Sequence, residues 1–210
     1  MNPLGALITL VLSALVLILP RTKAAAAVIA GVCFITEGQE LNLGFHFTAI
    51  RLIALVGLFR VATRGELKQI RFNSIDRALV AYVIGELILA SLRTLSIAGF
   101  VYELGGLYNR MLPYFVLRAL LTSWKDLREM LLSLIIVLVP FAFLMALEAR
   151  TNHNIFSIFG GVFDSSMIRD DQVRAQGPFR SPITAGSFGA IFAMFYAVML
   201  FAGERPRLKA

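Results

Sequence analysis

The chain has 210 residues, of which 58% are hydrophobic and 16% are charged, and its mean hydropathy is +0.78. This composition excludes an ordinary soluble domain and predicts a membrane protein with several spans. The formal net charge of +7 would suggest nucleic acid in a soluble protein, but here Lys and Arg cluster in short links between apolar runs. That clustering is typical of cytoplasmic loops, so we expect no nucleic-acid partner.

Seven apolar runs follow one another along the chain, and each predicts a membrane-spanning helix. They cover residues 4–19, 24–36, 45–61, 78–98, 107–121, 131–147 and 183–202. The first run lacks a basic leader and a cleavage site, so we interpret it as a retained span. The second is shorter than the ~20 residues that cross the hydrocarbon, so it is tilted or continues irregularly through residues 37–40. The expected fold is an all-α transmembrane bundle, a single domain over residues 1–210.

Two prolines modify this pattern. Pro113 is expected to break the fifth span, and Pro140 is expected to kink the sixth.

The links between the runs alternate in charge. Those at 21–23, 60–77, 124–128 and 204–209 are basic, whereas those at 37–40 and 99–106 are acidic. Because cytoplasmic links are enriched in Lys and Arg, the pattern predicts a cytoplasmic C-terminus and a non-cytoplasmic N-terminus. The long loop 148–182 is then also non-cytoplasmic.

That long loop concentrates ionisable residues beside the bilayer. They are Arg150, His153, Asp164, Arg169, Asp170, Asp171, Arg174 and Arg180. Guanidinium groups match the oxygens of a phosphate or diphosphate two at a time, so Arg169, Arg174 and Arg180 are candidates for binding an anionic headgroup. Gly177 would let the backbone approach a ligand closely, and the amides that begin the seventh helix also favour anions.

Each candidate also has a purely structural interpretation. Asp170 and Asp171 lie three or four residues before Arg174, so a local salt bridge is an alternative to ligand binding. His153 could act as a general base or could simply be exposed, and Asp164 fits a turn. No metal site is expected, because no second histidine or cysteine pair lies at ligand spacing.

Charges within the predicted spans are a separate signal. Arg51, near the middle of the third span, Glu86, Arg93 and Arg118 each cost roughly 2.5–3.5 kcal/mol in hydrocarbon unless they face a cavity or a partner. Glu86 and Arg93 lie seven residues apart, on one helix face. The charges could line a ligand path, or Glu86 could form an ion pair with an arginine that fixes helix packing.

The loop also carries a recognisable motif. Arg174, Gly177, Phe179 and Pro182 stand at the spacing Arg-x-x-Gly-x-Phe-x-x-Pro, placed after six apolar runs and before a seventh. This resembles the signature of the O-antigen ligase and polymerase superfamily. The resemblance covers most of the chain as topology, but only residues 170–190 as motif.

The resemblance implies a metal-independent glycosyltransferase of the bacterial inner membrane, without a cofactor. Such enzymes transfer a glycan from undecaprenyl diphosphate to lipid A core, to a growing polymer or to a protein hydroxyl on the periplasmic face. Arg174 matches the motif arginine, which is expected to hold the donor diphosphate, and Gly177 and Pro182 match turn positions. Arg180 occupies a position that the signature does not fix, Arg169 precedes the signature, and both are expected to assist binding.

Ligase, polymerase and protein O-oligosaccharyltransferase share these features. A different class is a transporter of an anionic lipid or glycolipid, in which the charges within the spans line a path. A third is a non-catalytic membrane subunit whose loop contacts a partner.

Family members are about twice as long and carry a histidine in a second large periplasmic loop. Nothing here matches that histidine, and His153 precedes the motif. We therefore expect an N-terminal fragment with part of a donor site.

Overall fold

The computed structural model describes residues 2–42 and 46–202, and this part of the chain is mostly helical. Its α-helices are α1 (Pro3–Ile18), α2 (Arg21–Phe34), α3 (Ala49–Thr63), α4 (Ser74–Thr94), α5 (Ile97–Leu120), α6 (Trp124–Thr151) and α7 (Pro182–Ala202). Two short antiparallel hairpins join them, β1 (Glu40–Asn42) with β2 (His46–Thr48) and β3 (Met167–Arg169) with β4 (Gln172–Arg174). Short 3-10 helices cover Glu66–Gln69 and Ile155–Phe159.

Each of the seven predicted spans corresponds to one of these α-helices, so the all-α prediction is confirmed. The predicted number of membrane spans is not confirmed. Among the described residues, two helices are long and apolar enough to cross a membrane, Trp124–Thr151 and Pro182–Phe201. Helices α1, α2 and α3 have 16, 14 and 15 residues, fewer than the ~20 that a span needs. Helices α4 and α5 are longer but carry several ionisable residues.

Several predicted boundaries were wrong. The predicted acidic link 99–106 belongs to α5, and the turn before that helix lies at Leu95 and Ser96 instead. Helix α5 also continues through Pro113, and α6 includes the predicted polar link 124–128. Phe45, where the third span was predicted to begin, and the basic link 204–209 lie outside the described residues.

The helices begin where side chains can satisfy the free backbone N–H groups. Asn73 and Asp76 form reciprocal hydrogen bonds of 2.8 Å at the start of α4, and Ser123 and Asp126 do the same for α6 at 3.0–3.1 Å. Ser181 caps α7, accepting the Thr184 N–H at 3.3 Å. These capping residues fix where α4, α6 and α7 begin.

The helices run up and down, so that the links gather at two ends. At the first end, here called the loop end, Asn2 donates to the carbonyl of Ile158 at 3.0 Å and Ala49 donates to that of Gln39 at 3.0 Å. At the opposite end, called the basic end, Arg21 forms a 2.8 Å ion pair with Asp126. The loop 152–181 and the acidic link after α2 therefore share one end, as the alternation of charge predicts.

Two arginines at the basic end hold the C-terminus of α1. The buried Arg60 donates to the carbonyls of Val16 and Leu19, the latter at 2.6 Å, and Arg64 donates to Leu17 at 2.6 Å. A helix C-terminus favours cations because its last carbonyls lack partners. Since Arg60 and Arg64 end α3, they tie the two helices together.

The core forms around α2, whose alanines allow close approach of α1, α3 and α6. Its buried residues include Ala24, Ala25, Ala26, Ala27, Val28, Ala30 and Cys33. Helix α4 packs against α5. Helix α7 keeps most of its apolar side chains exposed, as suits a lipid-facing helix; they include Ile183, Ile191, Met194, Val198, Leu200 and Phe201.

Candidate functional site

The loop between α6 and α7 is folded and is anchored by one buried carboxylate. Glu148, in the last turn of α6, is fully buried and accepts hydrogen bonds from the Ser166 hydroxyl at 2.6 Å and from the N–H groups of Gln176 and Gly177, both at 2.9 Å. Buried polar groups need such partners, because leaving one unpaired costs free energy. Glu148 thus fixes the motif segment against the helix that precedes the loop.

Gly177 has a structural role inside this segment. Its φ of +58° is in the left-handed region, and a Cβ there would clash with the Sδ of Met145. Its carbonyl accepts from the amide of the fully buried Asn154 at 2.9 Å, while its N–H donates to Glu148. Both the N–H and the carbonyl of Gly177 are thus bonded within the protein. The sequence predicted that the backbone would approach a ligand closely here, but in the structure it approaches Met145.

The motif phenylalanine belongs to the core beneath the loop. Phe179 is 3% exposed and packs edge-on against Phe141, with ring centroids 6.2 Å apart, and against Phe188 at 5.3 Å. Aromatic pairs in this range add packing stability to the area they bury. Phe179 therefore connects the loop to both α6 and α7.

The segment also contacts the short link after α2. Glu37 donates its N–H to the carbonyl of Pro178 at 3.1 Å, and its Oε2 accepts the N–H of Arg180 at 3.0 Å. Thr36 donates to the carbonyl of Gly160. Gly38 and Gly161 approach so closely that a Cβ on Gly38 would lie 2.6 Å from the Cα of Gly161.

Arg169 and Arg174, two of the predicted ligand-binding residues, lie on the exposed β3–β4 hairpin. The turn residues Asp170 and Asp171 have φ of +55° and +58°. Asp170 lies 3.6 Å from the Nε of Arg169 and 4.0 Å from Nη2 of Arg174, whose side chains are 68% and 41% exposed. The local salt bridge proposed from spacing is therefore present. Exposed pairs of this kind contribute little and leave both guanidinium groups accessible.

Arg180, the third predicted arginine, lines a cavity of about 630 Å³ at the loop end. The cavity lies between α3, α5 and the two loops, and Glu37, Arg51, Tyr108 and Asn109 also line it. Arg51 donates from Nε to the side-chain oxygen of Asn109 at 2.6 Å. The sequence placed Arg51 near mid-span, but α3 begins at Ala49, so Arg51 is in its first turn.

The other charges predicted within spans occupy separate places. Glu86 forms an ion pair with Arg110 rather than with Arg93. The pair joins α4 to α5, which agrees with the structural alternative in which Glu86 fixes helix packing. Arg118 lies 3.7 Å from Asp76 at the basic end. Together with Arg51 at the loop end, these charges are spread over three regions of the protein.

The pKa of Asp76 is lowered. Its main cause is the hydrogen bond from the Tyr114 hydroxyl at 2.6 Å, followed by the N–H of Asn73, while burial acts in the opposite direction and Arg118 adds to the lowering. The carboxylate is therefore held in its charged form.

His153 pairs with Asp164 through Nδ1 at 2.9 Å, and Ser157 donates to the same carboxylate oxygen at 2.8 Å. Both members of the pair are mostly exposed. Within residues 2–42 and 46–202, no group of three or more His, Cys, Asp or Glu side chains is arranged to hold a metal ion.

An apolar groove of about 540 Å³ lies between α6 and α7. Its lining residues include Leu138, Phe141, Met145, Phe188, Phe192 and Tyr196. Met145 and Phe141 also contact the motif segment, so the groove begins directly beneath the loop.

The sequence did not indicate the roles of Glu148, Glu37 and Asn109. The partners of Glu148 are 18 to 29 residues away, and no local pattern encodes them. A lone carboxylate at the end of an apolar run was the available signal.

Comparison of the chain with protein-family models, with curated proteins and with solved structures gave no match.

Proposed function

We propose that the protein is an O-antigen ligase-like glycosyltransferase of the bacterial inner membrane. It would transfer a glycan from undecaprenyl diphosphate to lipid A core or to another acceptor on the periplasmic face. The observation that carries the proposal is the loop between the two candidate membrane helices, which is anchored by Glu148 and displays Arg169, Arg174 and Arg180 at their ends.

The proposal includes a membrane bundle of all seven helices. Helices α6 and α7 would cross fully, whereas the shorter α1, α2 and α3 would need tilt or local thinning of the bilayer. The basic end would face the cytoplasm, because cytoplasmic links are rich in Lys and Arg. Loop 148–182 would then be periplasmic, where the lipid-linked donor is displayed.

The chemistry requires charge neutralisation more than a reactive cofactor. An acceptor hydroxyl oxygen bonds to the anomeric carbon while the bond from that carbon to the diphosphate breaks, so negative charge accumulates on the departing diphosphate. Guanidinium groups positioned at those oxygens stabilise this charge. Arg174 is assigned this role, with Arg169 and Arg180 as further contacts and Gly177 shaping the loop. The apolar groove between α6 and α7 adjoins the loop and suits the polyprenyl chain.

The test is glycan transfer by an Arg174→Ala variant in membranes that contain the lipid-linked donor and acceptor. We expect transfer to fall at least about a hundredfold, as loss of one preorganised charge-stabilising group does, while membrane insertion is retained. Arg93→Ala is the matched control, since Arg93 is an exposed arginine on α4, remote in sequence from the loop. Normal transfer by the Arg174 variant would remove this role.

Polymerase and protein O-oligosaccharyltransferase activities use the same donor, and varying the acceptor in this assay distinguishes them. In the transporter alternative the charges within the spans would line a path, but Glu86 and Arg118 each pair with a charge of the protein, Glu86 with Arg110 and Arg118 with Asp76.

A further inference from the structure

We infer that the basic end of the protein is a docking surface for the headgroups of anionic phospholipids. The surface, here called the basic patch, is formed by six exposed cations: Lys23, Arg64, Lys68, Arg71, Arg77 and Arg128. This inference goes beyond the proposed function. It rests on the membrane location of α6, which is part of that proposal, but not on the transfer reaction.

The positive charge of the chain is concentrated at this end. Segments 20–23, 60–77 and 118–129 carry ten Lys and Arg side chains against four carboxylates, whereas the rest of the chain carries ten against nine. Two ion pairs hold the three segments together, Arg21 with Asp126 at 2.8 Å and Arg118 with Asp76 at 3.7 Å. Almost the whole charge excess of the chain therefore lies on one surface.

The carboxylates at this end do not neutralise the basic patch. Each of them pairs with a cation that is not part of the patch, and three of the four are buried. The pairs are Glu66 with Arg60, Asp76 with Arg118, Asp126 with Arg21 and Glu129 with Lys125. Among residues 2–42 and 46–202, the six cations of the patch form no ion pair, so their charge is left for an anion outside the chain.

Apolar side chains lie between these cations. Leu67, Phe72 and Ile75 of the link 64–77 and Trp124 at the start of α6 are 40–68% exposed. Segments that mix Lys and Arg with exposed aromatic and aliphatic residues bind membrane interfaces, where the cations meet phosphates and the apolar groups enter the lipid. A soluble polyanion would use the cations but would leave the apolar side chains in water. The composition therefore favours a lipid surface.

Trp124 places the patch at the depth of the headgroups. Helix α6, a candidate membrane span, begins at this residue, and tryptophan favours the interface between lipid and water. Arg128 lies four residues further along the same helix, and therefore on the same face as Trp124. A cation at that position can reach phosphate oxygens of lipids that contact the tryptophan.

Trp124 also provides the measurement, because it is the one tryptophan in the chain. The full chain is reconstituted in phosphatidylcholine vesicles that contain either brominated phosphatidylglycerol or brominated phosphatidylcholine, since bromine quenches tryptophan fluorescence on contact. We expect the relative binding constant beside Trp124 to be at least about fivefold higher for phosphatidylglycerol, the gain from one cation near an anionic surface. Added salt should reduce this preference by screening.

Replacing Arg128 with Gln removes the cation closest to the reporter along its helix face. We expect the preference for phosphatidylglycerol to fall by up to about fivefold in Arg128→Gln. Arg150→Gln is the matched control, because Arg150 is an exposed arginine near the other end of α6, about 40 Å along the helix. It should keep the wild-type preference.

A second reporter examines the link and keeps the test informative if Arg128→Gln does not fold. Phe72→Trp in a Trp124→Phe background moves the tryptophan to a half-exposed position beside Arg71. Phosphatidylglycerol should again quench more strongly than phosphatidylcholine. Adding Arg71→Gln to this background should reduce the difference, whereas adding Arg150→Gln should not.

The inference is overturned if the two brominated lipids quench the wild-type protein equally, or if Arg128→Gln and Arg71→Gln retain the full preference. Absence of quenching by either lipid, with binding of polyglutamate instead, would assign the patch to a soluble acidic partner and would overturn it as well. A preference for phosphatidylglycerol without any glycan transfer would retain the patch and reject the transferase. Transfer without such a preference would do the opposite.

Discussion

Glu148 accepts the backbone N–H of Gly177 at 2.9 Å, across 29 positions of sequence. With the Gln176 N–H and the Ser166 hydroxyl on its other oxygen, the carboxylate satisfies three donors beneath the loop. Glu148 therefore holds the arginine segment against α6 from beneath.

Replacing Glu148 with Ala should release the loop. Two backbone N–H groups would lose their buried acceptor, which costs about 1–3 kcal/mol for each unsatisfied group. Thermal unfolding in detergent should shift downward, and the amides of residues 176 and 177 should exchange hydrogen faster. Glu129→Ala is the control, because Glu129 is a half-exposed glutamate of the same helix, and it should change little. Unchanged exchange in the Glu148 variant would contradict the anchoring role.

Gly177→Ala and Gly186→Ala should have opposite effects on stability. At Gly177 the left-handed backbone disfavours a Cβ by about 1–2 kcal/mol, and Met145 must also move. Gly186 lies in α7 with open space around it, so alanine there should stabilise by up to about 1 kcal/mol. Thermal unfolding of the two variants is the measurement, and a stabilised Gly177 variant would be incompatible with the observed loop conformation.

Asp76 should make stability depend on pH at the acidic end of the scale. Hydrogen bonds from Tyr114 and Asn73 lower the pKa of Asp76 in the folded protein. The contribution of Asp76 to the free energy of unfolding is therefore fully present above the pKa of the unfolded chain, ~3.9, and is lost as the pH falls through the lower pKa of the folded protein. Unfolding followed from pH 7 to pH 3 should show this loss below about pH 4. Asp76→Asn should flatten the profile in that window, whereas Asn at the exposed Asp171 should not. The same slope in wild type and Asp76→Asn would refute the assignment.

Thiol labelling tests the orientation of the loop. A cysteine at position 174 should react with a membrane-impermeant maleimide in intact spheroplasts, and a cysteine at Lys125, 84% exposed at the basic end, should react only after the membrane is opened. The native Cys33 is buried and should give little background. Labelling of position 174 from the cytosolic side alone would contradict the proposed periplasmic orientation of the loop.

Hydropathy was sufficient to locate the seven helices but not their ends. The third predicted span combines β2 with α3, because average hydropathy does not mark where an extended segment gives way to a helix, and this moved Arg51 to mid-span. The predicted link 99–106 failed because its three glycines, Gly99, Gly105 and Gly106, are tolerated inside α5.

The candidate site was predictable only in part. The sequence singled out Arg174 and Gly177 of the motif and also Arg180, but not the side chains around them. Glu148, Glu37 and Asn109 reach the site through contacts between distant segments, which single-sequence patterns do not encode.

The contact between Gly38 and Gly161 has a consequence for comparing related chains. Neither position tolerates a side chain without separating the α2 link from the long loop, so the two should remain glycine together or change together as homologues diverge. That paired behaviour would be a covariation signal, readable from sequences alone, for chains that share this arrangement of loops.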